Sequence, residues 1–144
     1  MNQHKLFITT LVLTPLAFLS SCEKEVPGCK DSSAYNYKAD ATEDDGSCKY
    51  YYGGKNFGQI DVGAEIDLNN EYTVYIDDEN VGRSLFYFPE GLNCGNEKAV
   101  GTTAEAGKHT IRAVGNGGTE VREGVITLSA QLCKIVLIED LPKK

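Results

Sequence analysis

Between Cys29 and Cys48 the chain sets hard oxygen donors at alternate positions, Asp40, Thr42 and Asp44, followed directly by Asp45 and Gly46. Side chains spaced this way can curl around one ion and supply part of the six to eight oxygens that Ca²⁺ takes. Asp40, Thr42, Asp44 and Asp45 are therefore the candidate metal ligands, and Ca²⁺ is the ion such a site would hold. The same letters have a reading that needs no ion: Asp44-Asp45-Gly46-Ser47 is a turn whose side chains accept hydrogen bonds from the backbone two residues on. A calcium loop counted from Asp40 wants Gly at its sixth place and a bidentate Glu at its twelfth. Asp45 occupies the sixth and Tyr51 the twelfth. Asp31, ahead of this stretch, is placed to cap a short helical turn through Ser32, Ser33 and Ala34 by accepting a backbone N–H.

The other reactive side chains are the five cysteines and two histidines. Cys22 follows Leu19-Ser20-Ser21, and an apolar run from Leu6 to Leu19 with Lys5 ahead of it precedes that. The run is too short to span a bilayer, which takes about 20 residues, so residues 1–21 read as a cleaved export signal. Leu19-Ser20-Ser21-Cys22 resembles the bacterial lipobox, and the resemblance implies that Cys22 is acylated, with chains such as palmitate, and becomes the mature N-terminus. Anchoring then comes from lipid alone, at about 0.8 kcal/mol per buried methylene. Glu23-Lys24-Glu25 resembles the short acidic tract that sends some Bacteroidota lipoproteins to the cell surface. These residues also read as a plain solvated tether.

With Cys22 taken by lipid, four cysteines remain: Cys29, Cys48, Cys94 and Cys133. Four cysteines allow three pairings. The acidic segment and the larger downstream region look like separate units, which favours Cys29 with Cys48 and Cys94 with Cys133, in an oxidising compartment. His109 is the one histidine outside the signal, and on a strand it reads as a half-exposed packing residue rather than a base or ligand. One histidine and no free thiol exclude the common nucleophile–base pairs. Gly-x-Ser-x-Gly, His-Glu-x-x-His and phosphate-cradling glycine loops are absent. Two-carboxylate hydrolysis is not excluded by motif, yet the downstream region offers little depth for a closed cleft. Tyr50, Tyr51, Tyr52, Tyr75 and Tyr87 would make a sugar- or peptide-stacking surface if gathered, and otherwise serve as linker cover and sheet packing.

Charge narrows the partners. The chain has 14 basic and 21 acidic residues, and loss of Lys5 with the signal makes the mature chain more acidic still. Such a surface repels phosphate backbones and carries no basic stripe, so nucleic acid is not expected as a partner. Divalent cations and basic proteins are favoured electrostatically.

These residues need elements to hold them. Residues 22–28 read as a tether, 29–48 as the disulfide-bounded acidic module, 49–56 as a tyrosine- and glycine-rich linker, and 57–141 as a folded domain. In the last, Ile60, Val62, Ala64, Ile66 and Leu68 alternate with polar residues, as do Tyr72, Val74 and Ile76, which is the period of half-buried strands. Gly63 permits a break in the first. Asp77-Asp78-Glu79-Asn80 supplies a turn into a return strand at Arg83–Phe88. Lys98–Thr103 and His109–Val114 follow. Asn116-Gly117-Gly118 suits a tight turn with positive φ, and Glu120–Leu128 and Leu132–Ile138 complete about seven strands. No helical period appears. The expected fold is all-β, a small antiparallel β-sandwich. Cys133 alternates with Ile135 and Leu137, so its sulfur is expected to point inward.

Two resemblances bear on the whole. The runs "YTVYIDDENVG", "NCG", "AGKHTIRAV" and "GVITLSAQLCKIVLI" resemble PEGA-type and carboxypeptidase-regulatory-like sandwich modules of exported bacterial proteins, over residues 70–138. Gly28, Cys29, Asp31, Ala34, Asn36, Tyr37, Ala41, Asp44, Asp45, Gly46, Ser47 and Cys48 resemble a short module recurring in extracellular Bacteroidota proteins. Neither resemblance carries an activity. The expectation is a non-catalytic, lipid-anchored protein of the cell envelope, at the outer membrane. An envelope protein or a glycan is the expected partner, in an interaction or structural role. The rivals are a carbohydrate- or peptide-binding accessory of an uptake system and a small carboxylate-dependent hydrolase.

Overall fold

The computed structural model describes residues 24–144; the expected export signal and Cys22 lie outside the described residues. The fold is all-β. Two short strands, β1 (Pro27–Gly28) and β2 (Glu43–Asp44), pair in parallel within the acidic module. Seven more build two sheets: β3 (Phe57–Gly63), β4 (Tyr72–Ile76), β5 (Glu79–Ser84), β6 (Val100–Glu105), β7 (Gly107–Gly115), β8 (Glu120–Leu128) and β9 (Cys133–Leu137). One sheet has the order β6-β3-β9 and the other β5-β4-β7-β8.

The alternating apolar positions meet between the sheets. Ile60 and Val62 of β3, Val74 and Ile76 of β4, Ile111 and Ala113 of β7, Leu128 of β8 and Val136 of β9 are buried in one cluster with Tyr72, Val100, Ile138 and Leu141. Burial of this kind stabilises by about 1.5–3 kcal/mol per large apolar side chain. The rest of each strand's side chains face outward, as period two requires.

Three expectations change. The return strand begins at Glu79, not Arg83, because Asp77 and Asp78 both take positive φ, 50° and 67°, and close a two-residue turn. Residues 85–88 are thereby left outside the strands, with Tyr87 in an isolated parallel bridge to Ala64. The β4–β5 register also shifts between Val74 and Tyr75. β3 stops at Gly63, the break expected there, so that Ala64 is still buried but Ile66 is 55% exposed. At Gly63 a side chain would stand 2.9 Å from the Phe88 ring and 3.0 Å from Leu92 Cδ2.

β9 lies parallel to β3, so the three-stranded sheet is mixed rather than wholly antiparallel. Cys133 stands opposite Gln59, and Val136 opposite Val62. Cys133, Ile135 and Leu137 therefore face away from the core, and Val136 and Ile138 face into it. The loop carrying Cys94 covers the outward face instead.

The tail beyond 141 stays paired. Glu123 N–H donates to Pro142 O and Lys144 N–H to Val121 O, covering the first half of the β8 edge.

Candidate functional site

In the acidic module, Cys29 and Cys48 are bonded with their Cα atoms 4.8 Å apart, and Cys29 and Ala34 form its small buried centre. Asn36 clamps the closing turn: its Oδ1 accepts from Lys49 N–H at 2.7 Å and its Nδ2 donates to Ser47 O at 2.8 Å. At Gly28 a side chain would have to displace Lys38, since a Cβ there would stand 2.7 Å from Lys38 Cδ.

The four candidate ligands are occupied or apart. Thr42 Oγ1 accepts from Val26 N–H at 2.9 Å. Asp44 Oδ1 accepts from Gly46 N–H at 3.0 Å, and Asp45 Oδ1 from Ser47 N–H at 2.9 Å. The Ser47 side chain and N–H also hold the Asp45 carboxyl below its ordinary value. Asp40 is exposed on the turn before β2. Among the described residues, Asp40, Asp44 and Asp45 do not bring three carboxylate oxygens within 4.8 Å of one another. Asp61, Cys94 and Cys133 do meet that distance. Their two sulfurs, however, form a disulfide with Cα atoms 6.1 Å apart and offer no thiolate.

Asp31 does more than cap. Its Oδ1 accepts from Ser33 N–H at 3.0 Å and from the Ser33 hydroxyl at 2.7 Å, as the cap requires. Its Oδ2 accepts from Tyr50 OH at 2.8 Å and pairs with Lys55 Nζ at 2.5 Å. Lys55 first, then Ser33 and Tyr50, hold this carboxyl well below the usual carboxylate range. The bond to Asp31 in turn raises the Tyr50 phenol and the Lys55 ammonium above their ordinary values. The linker is gripped from the other side by Gln131, whose Oε1 accepts from Tyr51 N–H at 2.9 Å and whose Nε2 donates to Phe57 O at 3.2 Å. Module, linker and sandwich are joined through these contacts.

The remaining tyrosines do not share a surface. Tyr75 sits under Arg112, whose guanidinium carbon is 4.1 Å from the ring centroid. Tyr51 stacks near Tyr35 with centroids 4.9 Å apart. Tyr87 belongs to a different feature. Leu85, Phe86 and Tyr87 are each 50% exposed, and an open cleft of about 420 Å³ is lined by Phe86, Tyr87, Phe88, Asn93, Asn96 and Lys98 among others. Lys98 Nζ lies 5.4 Å from the Phe86 ring centroid, within the range of a cation–π contact. Phe88 N–H donates to Ala64 O at 2.7 Å, which fixes the cleft wall to the end of β3.

A shallower hollow of about 320 Å³ includes both Asp61 and Glu97 in its lining. Asp61 is 2% exposed. Its oxygens accept from Gln59 Nε2 at 2.8 Å and from Gly95 N–H at 2.7 Å, so the carboxylate holds the loop over β3. His109, expected half-exposed, is 9% exposed and bonded through both ring nitrogens, to Asp77 and to Glu105 O.

No family model, curated protein or solved structure matches this chain. Its site must therefore be read from its own geometry. The dense motif of residues 28–48 has a scaffold role at most positions: Gly28 for clearance, Asn36 as clamp, and Asp44, Asp45 and Ser47 as turn. The cleft residues Phe86, Phe88, Asn93, Asn96 and Lys98 went unread in the sequence. The signal was present in Leu85-Phe86-Tyr87-Phe88, four apolar residues in a row where a half-buried strand would alternate. Gln131 carried no signal, because its partners are backbone atoms of a distant linker.

Proposed function

We propose that this chain is a non-catalytic, lipid-anchored protein of the cell envelope, at the outer membrane, whose sandwich presents an interaction site at the pole away from its anchor. The observation that supports this reading is the aromatic cleft at the end of β3. β3 begins at Phe57, next to the module and linker that follow the anchor, and ends at Gly63 against Phe88 and Leu92. Six steps of about 3.3 Å separate the two ends by roughly 20 Å. Half-exposed rings at a distal tip suit a partner more than they suit the fold, since contiguous exposed apolar surface marks interaction sites.

A carbohydrate- or peptide-binding role within an uptake system is the second reading. Asn93, Asn96 and Lys98 beside Phe86 and Tyr87 support it, because such sites pair ring faces with a few polar groups that fix orientation.

Two measurements test the proposal. Intact-mass analysis of the membrane fraction should find Cys22 acylated, and an unmodified mature thiol would refute the anchor. Pull-down of the anchored protein from native envelopes, with and without Phe86→Ala/Tyr87→Ala, tests the tip. Stability should fall by about 1.5–3 kcal/mol, since two half-buried rings are truncated, with the fold retained by circular dichroism, while capture of the partner is lost. Equal capture by both forms would remove the cleft from consideration.

A further inference from the structure

We infer that the pole opposite the cleft is a lipid-seating face, on which Tyr35 and Tyr51 rest in the headgroup region of the membrane that carries the anchor. The inference rests on the acylation of Cys22 proposed above and adds what the folded part does next to that anchor. Its first support is chain length. Val26 N–H is already bonded to Thr42 Oγ1 at 2.9 Å, and Pro27–Gly28 is already strand. Four residue steps lead from Cys22 to Val26, a reach of at most about 14 Å for an extended chain. So short a lead keeps the module within a few ångströms of the headgroup layer, which is itself about 5–8 Å deep.

Its second support is what the module exposes. Five of the eight tyrosines fall between residues 35 and 52. Tyr35, Tyr37 and Tyr51 are 54%, 47% and 57% exposed. Tyr35 and Tyr51 hold their centroids 4.9 Å apart, and Tyr52 lies 6.2 Å from Tyr51. The backbone under them is fixed: Tyr35 N–H donates to Lys49 O at 3.0 Å, and Gln131 grips Tyr51. Leu132, the next residue after Gln131, is 59% exposed. Rings with an apolar body and a hydroxyl tip favour the boundary between acyl chains and headgroups.

The test uses the full chain, acylated in a lipoprotein-processing bacterium, confirmed by intact mass and reconstituted into phosphatidylcholine nanodiscs. The chain has no tryptophan, so its emission comes from tyrosine alone. Lipids spin-labelled near the carbonyl end of the acyl chain should quench that emission, and labels near the methyl end should quench it less. The variant Tyr35→Ser/Tyr51→Ser should lose most of the quenching while its circular dichroism stays unchanged. Acylated protein that is not quenched by either label would overturn the seat alone and leave this face to a protein partner. Quenching that persists in the variant would also overturn it. A product without acyl chains would overturn the anchor and the seat together.

Discussion

His109 Nδ1 stands 2.6 Å from Asp77 Oδ2, while the other ring nitrogen stands 2.7 Å from Glu105 O. A carbonyl and a carboxylate both accept, so the ring satisfies both only when it donates twice, as the imidazolium. Burial opposes the charge, but the bonds to Asp77 and Glu105 O outweigh it and raise the ring above its ordinary 6.5. Asp77 also accepts from Thr110 N–H at 2.8 Å. The pair thereby locks the β4–β5 turn onto β7.

This pair makes stability depend on pH in both directions. The raised histidine contributes stability that is fully present below 6.5 and is lost as pH rises through its folded value. The Asp77 carboxyl is held below 3.8, chiefly by His109, so its contribution is present above 3.8 and is lost as pH falls through the lowered value. Urea unfolding across this range should place the pair's full contribution between 3.8 and 6.5. His109→Gln should cost about 1–3 kcal/mol in that window, the cost of leaving charged hydrogen bonds unmade, and progressively less in alkali. A pH-independent cost would contradict the doubly donating ring.

Gly101 stands opposite Asp61 across the β3–β6 ladder. A Cβ there would meet Ile60 O at 2.5 Å and Asp61 Oδ1 closer still. Backbone on one side and a buried carboxylate on the other cannot swing aside. Gly101→Ala should therefore destabilise by about 2–3 kcal/mol, in the range of overpacking. Thermal melts of the purified sandwich-containing chain would show it, and a neutral effect would mean that β6 can slide outward freely.

Why some of this was readable and some not follows from where the information sits. Val74, Ile76, Ile111 and Ala113 alternate because a two-sheet core demands it, and the strands carrying them were legible almost to the residue. β5 was not. Glu79, Asn80, Val81, Gly82, Arg83 and Ser84 include a bulge and one apolar side chain, whereas the neighbouring Leu85–Phe88 is apolar and drew the strand assignment. The turn at Asp77-Asp78 needed two non-glycine residues at positive φ, and the Asp77 bonds to His109 and Thr110 hold it there. Those partners are 32 and 33 residues away. Cys133 was assigned the wrong face because alternation gives two sets and only packing chooses between them. The oxygen spacing at Asp40, Thr42 and Asp44 suggested a curled loop. The chain is instead extended at Glu43–Asp44, paired with Pro27–Gly28.

Asp31 ties the module to the rest through Tyr50 and Lys55. Asp31→Asn should expose the linker, which trypsin would report as faster cleavage after Lys55 with little change in the melting of the sandwich. The Lys55 side chain is 59% exposed, so added salt should speed cleavage of the native chain in the same way. Mild acid should not. The carboxyl lies below its usual range, so its contribution persists until pH falls through the lowered value. Cleavage unaffected by either change would show that Gln131 alone holds the linker.

The two disulfides constrain different bodies, and their removal should separate them. Cys94–Cys133 closes 39 residues of sequence separation and joins the loop over β3 to β9. Cys29–Cys48 closes 19 and supplies most of the module's buried centre. Loop entropy assigns both similar stabilisation, about 3–4 kcal/mol each. The effects differ in where they fall. Cys94→Ser/Cys133→Ser should lower the main unfolding transition, since β9 lends Val136 to the common core and Asp61 loses a fixed partner loop. Cys29→Ser/Cys48→Ser should leave that transition nearly in place and unfold the module first, because two buried residues cannot offset the chain entropy of a segment this short. Hydrogen exchange resolved by peptide would distinguish the cases: rapid exchange confined to 27–48 in the second variant, and spread through β3 and β9 in the first. A single cooperative loss in both would mean that the contacts of Asp31 and Gln131 couple module and sandwich into one unit.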